Sequence, residues 1–227
     1  MRDDPGFSLM LPDVESCLRT ALASELPGAQ AQVRMAPRPR LGWRAGESPE
    51  NARGAAGLLL LYPHEGRTCF VLTVRTGLLA RHGGQVSLPG GAIEPGETVV
   101  EAAVREAVEE VGVDPGQMRV VGTLTPLHIP VSGFTLHPVV AVSDTRPDFR
   151  RAAAEVAHIL DVPIRDLVDG SRLRRIRRLR DDGVEYDVPY FEIDGQQVWG
   201  ATAMVLAEFL WLLGQELDPW TVTGHEP

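Results

Sequence analysis

Cysteine is nearly missing from this 227-residue chain. Cys17 and Cys69 are the only two, too few for the disulfide framework that staples small secreted folds. Long apolar runs are missing as well: none approaches the roughly 20 residues that a membrane-spanning helix needs. The opening MRDDPGFSLM lacks the basic-then-apolar layout of a signal peptide. Positive charge is short, with 22 Lys and Arg against 31 Asp and Glu and a formal net charge of −9. A field of that sign repels nucleic acid and anionic membranes, so neither is an expected partner. There is no internal repeat and no low-complexity segment. What remains reads as a cytoplasmic soluble protein with one sizeable domain. Its 44% apolar and 23% charged residues are ordinary for a chain with a buried core.

The pattern along the chain divides it into an extension at 1–53, a core domain at 54–217 and a tail at 218–227. In the extension, residues 12–26 place Val14, Cys17, Leu18, Ala21 and Leu22 at helical spacing, and Pro27-Gly28 stops the helix. Residues 35–53 are rich in Pro, Gly, Arg and Glu without periodicity and read as a connector draped over the domain. The plain role of this extension is packing or homodimer contact. The core opens with apolar runs at 54–63 and 68–76 that suggest a hairpin. Strands are expected near 118–125, 134–143 and 155–160, with a short helix at 163–168. Two or three more strands should lie within 175–200, with turns at Asp182-Gly183 and Asp194-Gly195. A strongly apolar helix over 201–217 should pack on a sheet. The fold class is α/β, a mixed β-sheet between helices.

The stretch GGAIEPGETVVEAAVREAVEEVGV (90–113) poses a physical problem. It predicts a helix whose last turns hold Glu106, Glu109 and Glu110, where negative charge opposes the helix dipole. Advancing about 100° per residue from Glu106 puts Glu110 near 40° and Glu109 near −60°. The three carboxylates thus share a stripe, and Val100, Ala103, Val104, Ala107, Val108 and Val111 fill the other side, which is expected to face the core. A solvated acidic face is the plainer reading of a carboxylate pair. Three carboxylates in a helix without lysine fit a hard divalent cation, Mg²⁺ or Mn²⁺, better. The glycines of PGGAIEPGE let backbone approach a ligand, and Arg105 can pair with Glu97 to hold that loop on the helix.

This stretch resembles the Nudix box, GX5EX7REUXEEXGU, with U a bulky aliphatic. Gly91, Glu97, Arg105, Glu106, Glu109, Glu110, Gly112 and Val113 fall on its positions, while Ala107 stands where a larger aliphatic is usual. The resemblance implies an α/β/α sandwich that hydrolyses nucleoside diphosphate derivatives, with Mg²⁺ or Mn²⁺ as cofactor. By position it implies that Glu106, Glu109 and Glu110 are metal ligands with the Gly90 carbonyl as a fourth, and that Glu97 orients Arg105. The general base varies within the family. Glu106 or Glu155 is the candidate here, and a purely structural Glu155 at a strand entry is the competing reading.

Upstream, VLTVRTGLLARHGGQVSLPGG (71–91) resembles the coenzyme A pyrophosphatase signature LLTxR(S/T)x3RxHxGxVxFPGG. Leu72, Thr73, Arg75, Thr76, His82, Gly84, Val86, Pro89, Gly90 and Gly91 match in register. Val71 replaces a leucine, Ala80 takes the arginine position with Arg81 beside it, and Leu88 replaces an aromatic. IPVSGFTLHPVVAV (129–142) and VWGATAMVLAEFL (198–210) are similar to further segments of that branch. The implied reaction splits coenzyme A or its acyl esters into 3′,5′-ADP and 4′-phosphopantetheine species. ADP-ribose, NADH or nucleoside triphosphates are alternative substrates, and a non-catalytic ligand sensor is the alternative from another class. Arg75, Arg81, His82 and Gly91 become candidate substrate-binding residues. Against that stand a surface pair of Arg75 with Glu97 or Asp114 and a loop His82 bonded to backbone. RLRRIRRLR (172–180) holds six arginines in nine residues. Its ordinary reading is solvated surface; its functional one is a cleft border, where Arg174 and Arg175 steer the polyanionic substrate or contact a 3′-phosphate.

Overall fold

A computed structural model describes residues 8–40, 42–76, 84–168, 170–180 and 183–221, and the backbone of 225–226. Helix α1 (Leu11–Leu22) and the single turn α2 (Ala29–Gln32) come first. Strands β1 (Arg53–His64), β2 (Arg67–Arg75), β3 (Val86–Ser87) and β4 (Gly90–Ala92) lead into helix α3 (Val99–Val111). Then follow β5 (Arg119–Thr123), β6 (Leu127–Ile129), β7 (Phe134–Val142), β8 (Val156–Pro163) and the short helix α4 (Ile164–Val168). Strands β9 (Leu173–Leu179), β10 (Glu185–Ile193) and β11 (Gln196–Trp199) precede helix α5 (Gly200–Leu212), and β12 (His225–Glu226) comes last.

Two sheets result. The larger is mixed, running β3-β2-β1-β7-β5, with β4 on β1, β6 on β7 and β8 on β2. β1 organises it by pairing in parallel with β7 along its length. On its other side β4 takes the first half, and β2 takes the second through a tight hairpin. Glu65 and Gly66 turn that hairpin at φ 50° and 71°, the left-handed pair that matches strand twist. The second sheet, β11-β10-β9-β12, is a further layer that the expected single sheet did not include.

β1 is buried on both faces, so its alternation divides the core. Ala56, Leu58, Leu60 and Tyr62 meet Ala102, Ala103, Ala107 and Val111 of α3. Leu59 and Leu61 point the other way, into a cluster with Phe70, Phe209, Leu210, Phe191 and Leu18. Each such fully buried aliphatic or aromatic side chain contributes about 1.5–3 kcal/mol. The sheet therefore lies between α3 on one face and α1 with α5 on the other, an α/β/α arrangement. None of the helices among the described residues is long and apolar enough to cross a membrane.

Several boundaries move from expectation. The first helix stops at Leu22, and the apolar helix stops at Leu212, where Gly214 at φ 76° turns the chain. The turn at Asp194-Gly195 forms with φ 48° and 72°, whereas Asp182 lies outside the described residues. Most consequential is the rotation of α3. Val108 is 37% exposed and Val100 and Val104 are half-buried, while Glu110 is 3% exposed in the core-facing arc. Alanine at 102, 103 and 107 lets the helix press on β1 along a flank that includes the acidic stripe. Val111 joins them in that contact, while Val108, too wide for the close approach, turns outward.

The extension is more than drapery. Leu11, Val14, Leu18, Met35 and Ala36 belong to the main core cluster. Gln32, 1% exposed, donates to Glu208 of α5 at 2.9 Å and to the Thr125 carbonyl at 3.0 Å. Glu208, fully buried, also accepts from the Thr125 N–H at 3.2 Å and its hydroxyl at 2.6 Å.

Candidate active site

The site begins with two glycines on β4. Gly90 pairs with Gly57 and Gly91 with Ala56 of β1. A Cβ at position 90 would stand 2.3 Å from the Ala56 carbonyl oxygen, so no larger residue fits between the strands. A Cβ at position 91 would stand 2.3 Å from Glu106 Oε1, which means the Glu106 carboxylate fills the space a side chain would take. The glycine pair is thus how β4 delivers backbone against the acidic helix.

α3 starts with a capping box in which Thr98 accepts from the Glu101 N–H and Glu101 accepts from the Thr98 N–H. It ends at Gly112, left-handed at φ 71°. The start fixes the loop 93–98, and Arg105 fixes it a second time. The Arg105 guanidinium grips Glu97 through two bonds, Nε to Oε1 at 2.8 Å and Nη2 to Oε2 at 3.0 Å. Nη2 also donates to the Ala92 carbonyl at 3.0 Å, and Nη1 donates to Glu106 at 2.8 Å and Glu109 at 3.3 Å. Hydrogen bonds from Arg105, with help from the Glu94 N–H, hold the Glu97 carboxyl below its usual range. The Arg105 charge is stabilised in turn, Glu97 first and Glu106 second.

The three carboxylates differ sharply in surroundings. The Glu109 side chain is 59% exposed and that of Glu106 only 16%. Glu110 accepts the Gly90 N–H at 3.2 Å and has Arg75 Nη1 at 3.8 Å. Burial pushes its carboxyl up to about 7; the Gly90 bond and Arg75 oppose the rise, and the Glu106 and Glu155 charges add to it. Arg75, at the end of β2, therefore pairs with Glu110 and with neither Glu97 nor Asp114. Glu155 sits exposed in the turn entering β8, where its carbonyl accepts the Thr76 N–H at 2.9 Å. The structure thus brings Glu97, Arg105, Glu106, Glu109, Glu110, Gly90, Gly91 and Arg75 together with Glu155 at their edge. Arg81 and His82 lie outside the described residues.

The expected divalent ion can be tested against this donor set. As the side chains stand, no three His, Cys, Asp or Glu groups among the described residues are gathered tightly enough to hold a metal. Arg105 bonds two of the three carboxylates, which accounts for their spread. The donors nevertheless suit Mg²⁺ or Mn²⁺, being hard oxygens throughout. A buried carboxylate given one backbone N–H and a cation at 3.8 Å is under-compensated, and a divalent ion would supply the missing charge.

Beside these residues opens a cleft of about 840 Å³. Gly90, Gly91 and Arg75 line it on the acidic-helix side, with Phe134 from the start of β7 and Trp199 from β11. Leu88, where an aromatic was expected, is in its wall. The Arg-rich segment contributes Arg180, whereas Arg174 and Arg175 are absent from the lining. Arg174 pairs with Glu192 at 3.5 Å, and the Arg175 guanidinium lies 5.7 Å from the Trp220 ring. Their expected place at the cleft border is therefore corrected: along β9 they meet other partners. Sequence reasoning also missed Arg40, Tyr186 and Trp199 in the cleft wall. Only their meeting in three dimensions gives them away.

Residues 51–166 match the sequence profile of the NUDIX domain. The uncharacterized Nudix hydrolase NudL of Citrobacter koseri is 32% identical over 167 residues, covering 71% of this chain and 84% of its own. Nudix hydrolase 3 of Caenorhabditis elegans is 29% identical over 189 residues, 75% of this chain and 78% of that protein. Among solved structures, the Nudix hydrolase RenU of M. smegmatis is 30% identical, with a TM-score of 0.45 over 52% of this chain and 74% of its own.

Proposed function

The chain belongs to the Nudix family, and from that premise we propose that it hydrolyses the diphosphate of coenzyme A or acyl-coenzyme A. The products would be 3′,5′-ADP and 4′-phosphopantetheine or its acyl form. The membership itself makes it a hydrolase acting on pyrophosphate bonds. The observation that carries the proposal is one juxtaposition: Gly90, Gly91 and Arg75 line a single cleft, and the carboxylates of Glu106 and Glu110 stand directly against those three residues. In favour of coenzyme A stands the 71–91 segment, whose signature residues run directly into those glycines.

In this reading Glu106, Glu109, Glu110 and the Gly90 carbonyl would hold Mg²⁺ or Mn²⁺. The ion, when bound, neutralises the diphosphate and lowers the pKa of a bound water toward neutrality. The chain's own residues do the positioning. Glu97 holds Arg105, and Arg105 keeps the Glu106 carboxylate in the space left by Gly91. Arg75 is drawn between Glu110 and an incoming phosphoryl oxygen, to which its planar fork can donate twice. Glu106 or Glu155 takes the proton of the attacking water.

The test offers coenzyme A, ADP-ribose, NADH and the common triphosphates in parallel, with Mg²⁺ or Mn²⁺, and identifies products by chromatography. Coenzyme A should turn over fastest and give 3′,5′-ADP. Preferential cleavage of ADP-ribose would overturn the substrate assignment, and a folded Glu109→Gln variant at full rate would remove that carboxylate from the chemistry.

A further inference from the structure

The connector between α2 and β1 enters the cleft. Arg38 bridges Asp187 of β10, its N–H donating to the Asp187 carbonyl at 2.9 Å and its carbonyl accepting back at 2.8 Å. Its guanidinium stacks on Trp220 at 3.8 Å, and the Trp220 ring N–H donates to the Arg34 carbonyl at 3.3 Å. The connector is therefore fastened twice just ahead of the cation that follows. Pro37, Pro39 and Arg40 line the cleft on the wall that also holds Tyr186 and Arg180.

Arg40 has its guanidinium 5.2 Å from the Trp43 ring, and Trp43 packs on the main core. Its Nε is buried with no hydrogen-bond partner, and among the described residues no carboxylate pairs with it. Desolvation lowers its pKa to about 10, which leaves it charged at neutral pH. A half-buried cation that lines a ligand-sized cleft without a carboxylate partner costs stability unless an anion completes it. The acidic helix cannot do so, since its carboxylates are engaged with Arg105, Gly90 and Arg75.

We propose that Arg40, held on Trp43, forms a second anion subsite in the cleft and takes a phosphate monoester of the substrate separate from the diphosphate being cut. This deepens the coenzyme A reading, on which it rests, by giving the 3′-phosphate a partner. It also assigns a specificity role to residues outside the matched span 51–166. A phosphate suits the site because a guanidinium edge meets two of its oxygens at once.

Calorimetric titration without metal compares 3′,5′-ADP with 5′-AMP, which differ only in the 3′-phosphate, on wild type, Arg40→Ala and Arg40→Lys. The wild type should bind 3′,5′-ADP about tenfold more tightly or better. Arg40→Ala should bring 3′,5′-ADP down to the AMP level with AMP unchanged, and Arg40→Lys should keep part of the difference. If the alanine variant lowers Tm by many degrees, Arg40→Gln, which retains the stem over Trp43, replaces it with the same outcomes. Unchanged discrimination in a folded variant, or none in the wild type, overturns the subsite. Because binding needs no turnover, discrimination through Arg40 in a protein that leaves coenzyme A uncut would sink the hydrolysis reading alone. Cleavage of coenzyme A with discrimination independent of Arg40 would sink the subsite alone.

Discussion

Adjacent glycines on β4 offer a controlled comparison, because alanine at each would strike a different kind of atom. At position 91 the new Cβ would fall 2.3, 2.4 and 2.6 Å from the Oε1, Cδ and Oε2 atoms of Glu106, and all three belong to the end of a flexible side chain. Ordinary contact begins at 3.4 Å, so the carboxylate must retreat by about 1 Å, pulling on its 2.8 Å bond to Arg105. The backbone does not resist, since Gly91 is not in the left-handed region. Stability should change by less than about 1 kcal/mol, with alanine's lower unfolded-state entropy offsetting part of the strain. A 1 Å displacement of a positioned catalytic group costs about 100-fold in rate. At position 90 the Cβ would fall 2.3 Å from the Ala56 carbonyl oxygen and 2.7 Å from the Gly57 Cα, both backbone atoms of β1. That strand is locked between two core clusters and cannot recede, so the cost there should be about 3 kcal/mol or more. Urea denaturation and kcat/KM on Gly91→Ala and Gly90→Ala separate the two. A Gly91→Ala enzyme at full rate, or one unfolded as badly as Gly90→Ala, would refute the claim that this glycine exists to seat Glu106.

The rotation of α3 makes its own forecast. Val108→Lys should stay within about 0.5 kcal/mol of the parent in thermal denaturation, because the side chain is 37% exposed. Ala107→Leu should cost about 1–3 kcal/mol by overpacking against β1; the opposite ranking would restore the valine-inward helix. At the buried junction of α2, α5 and the β5–β6 loop, Glu208→Ala strands one of the two Gln32 amide N–H donors and the Thr125 N–H without their acceptor. Each abandoned donor costs about 1–3 kcal/mol, so a total below about 1 kcal/mol in urea would contradict the network.

Legibility followed the range of the physics involved. The β1–β2 hairpin, the Glu97–Arg105 clamp and the stop of α3 at Gly112 depend on residues close in sequence, and pattern alone could place them. The orientation of α3 could not be had that way. A wheel drawn from hydropathy puts valines inward, but contact with a flat strand rewards narrow side chains, and Ala102, Ala103 and Ala107 won that contact. One consequence is chemical: turning the helix carried Glu110 inside, where burial raises its carboxyl to about 7. Membership of the acidic stripe was therefore readable, whereas the division of labour within it was not. The same holds for Arg40. In the stretch PRPRLGW it is one arginine among prolines, with no period to mark it, and only the bridge of Arg38 to Asp187, 149 residues later, swings it to the cleft. Specificity built from such distant pairings leaves no local signature, and so it is the wall of the cleft, more than the acidic helix behind it, that must be probed residue by residue.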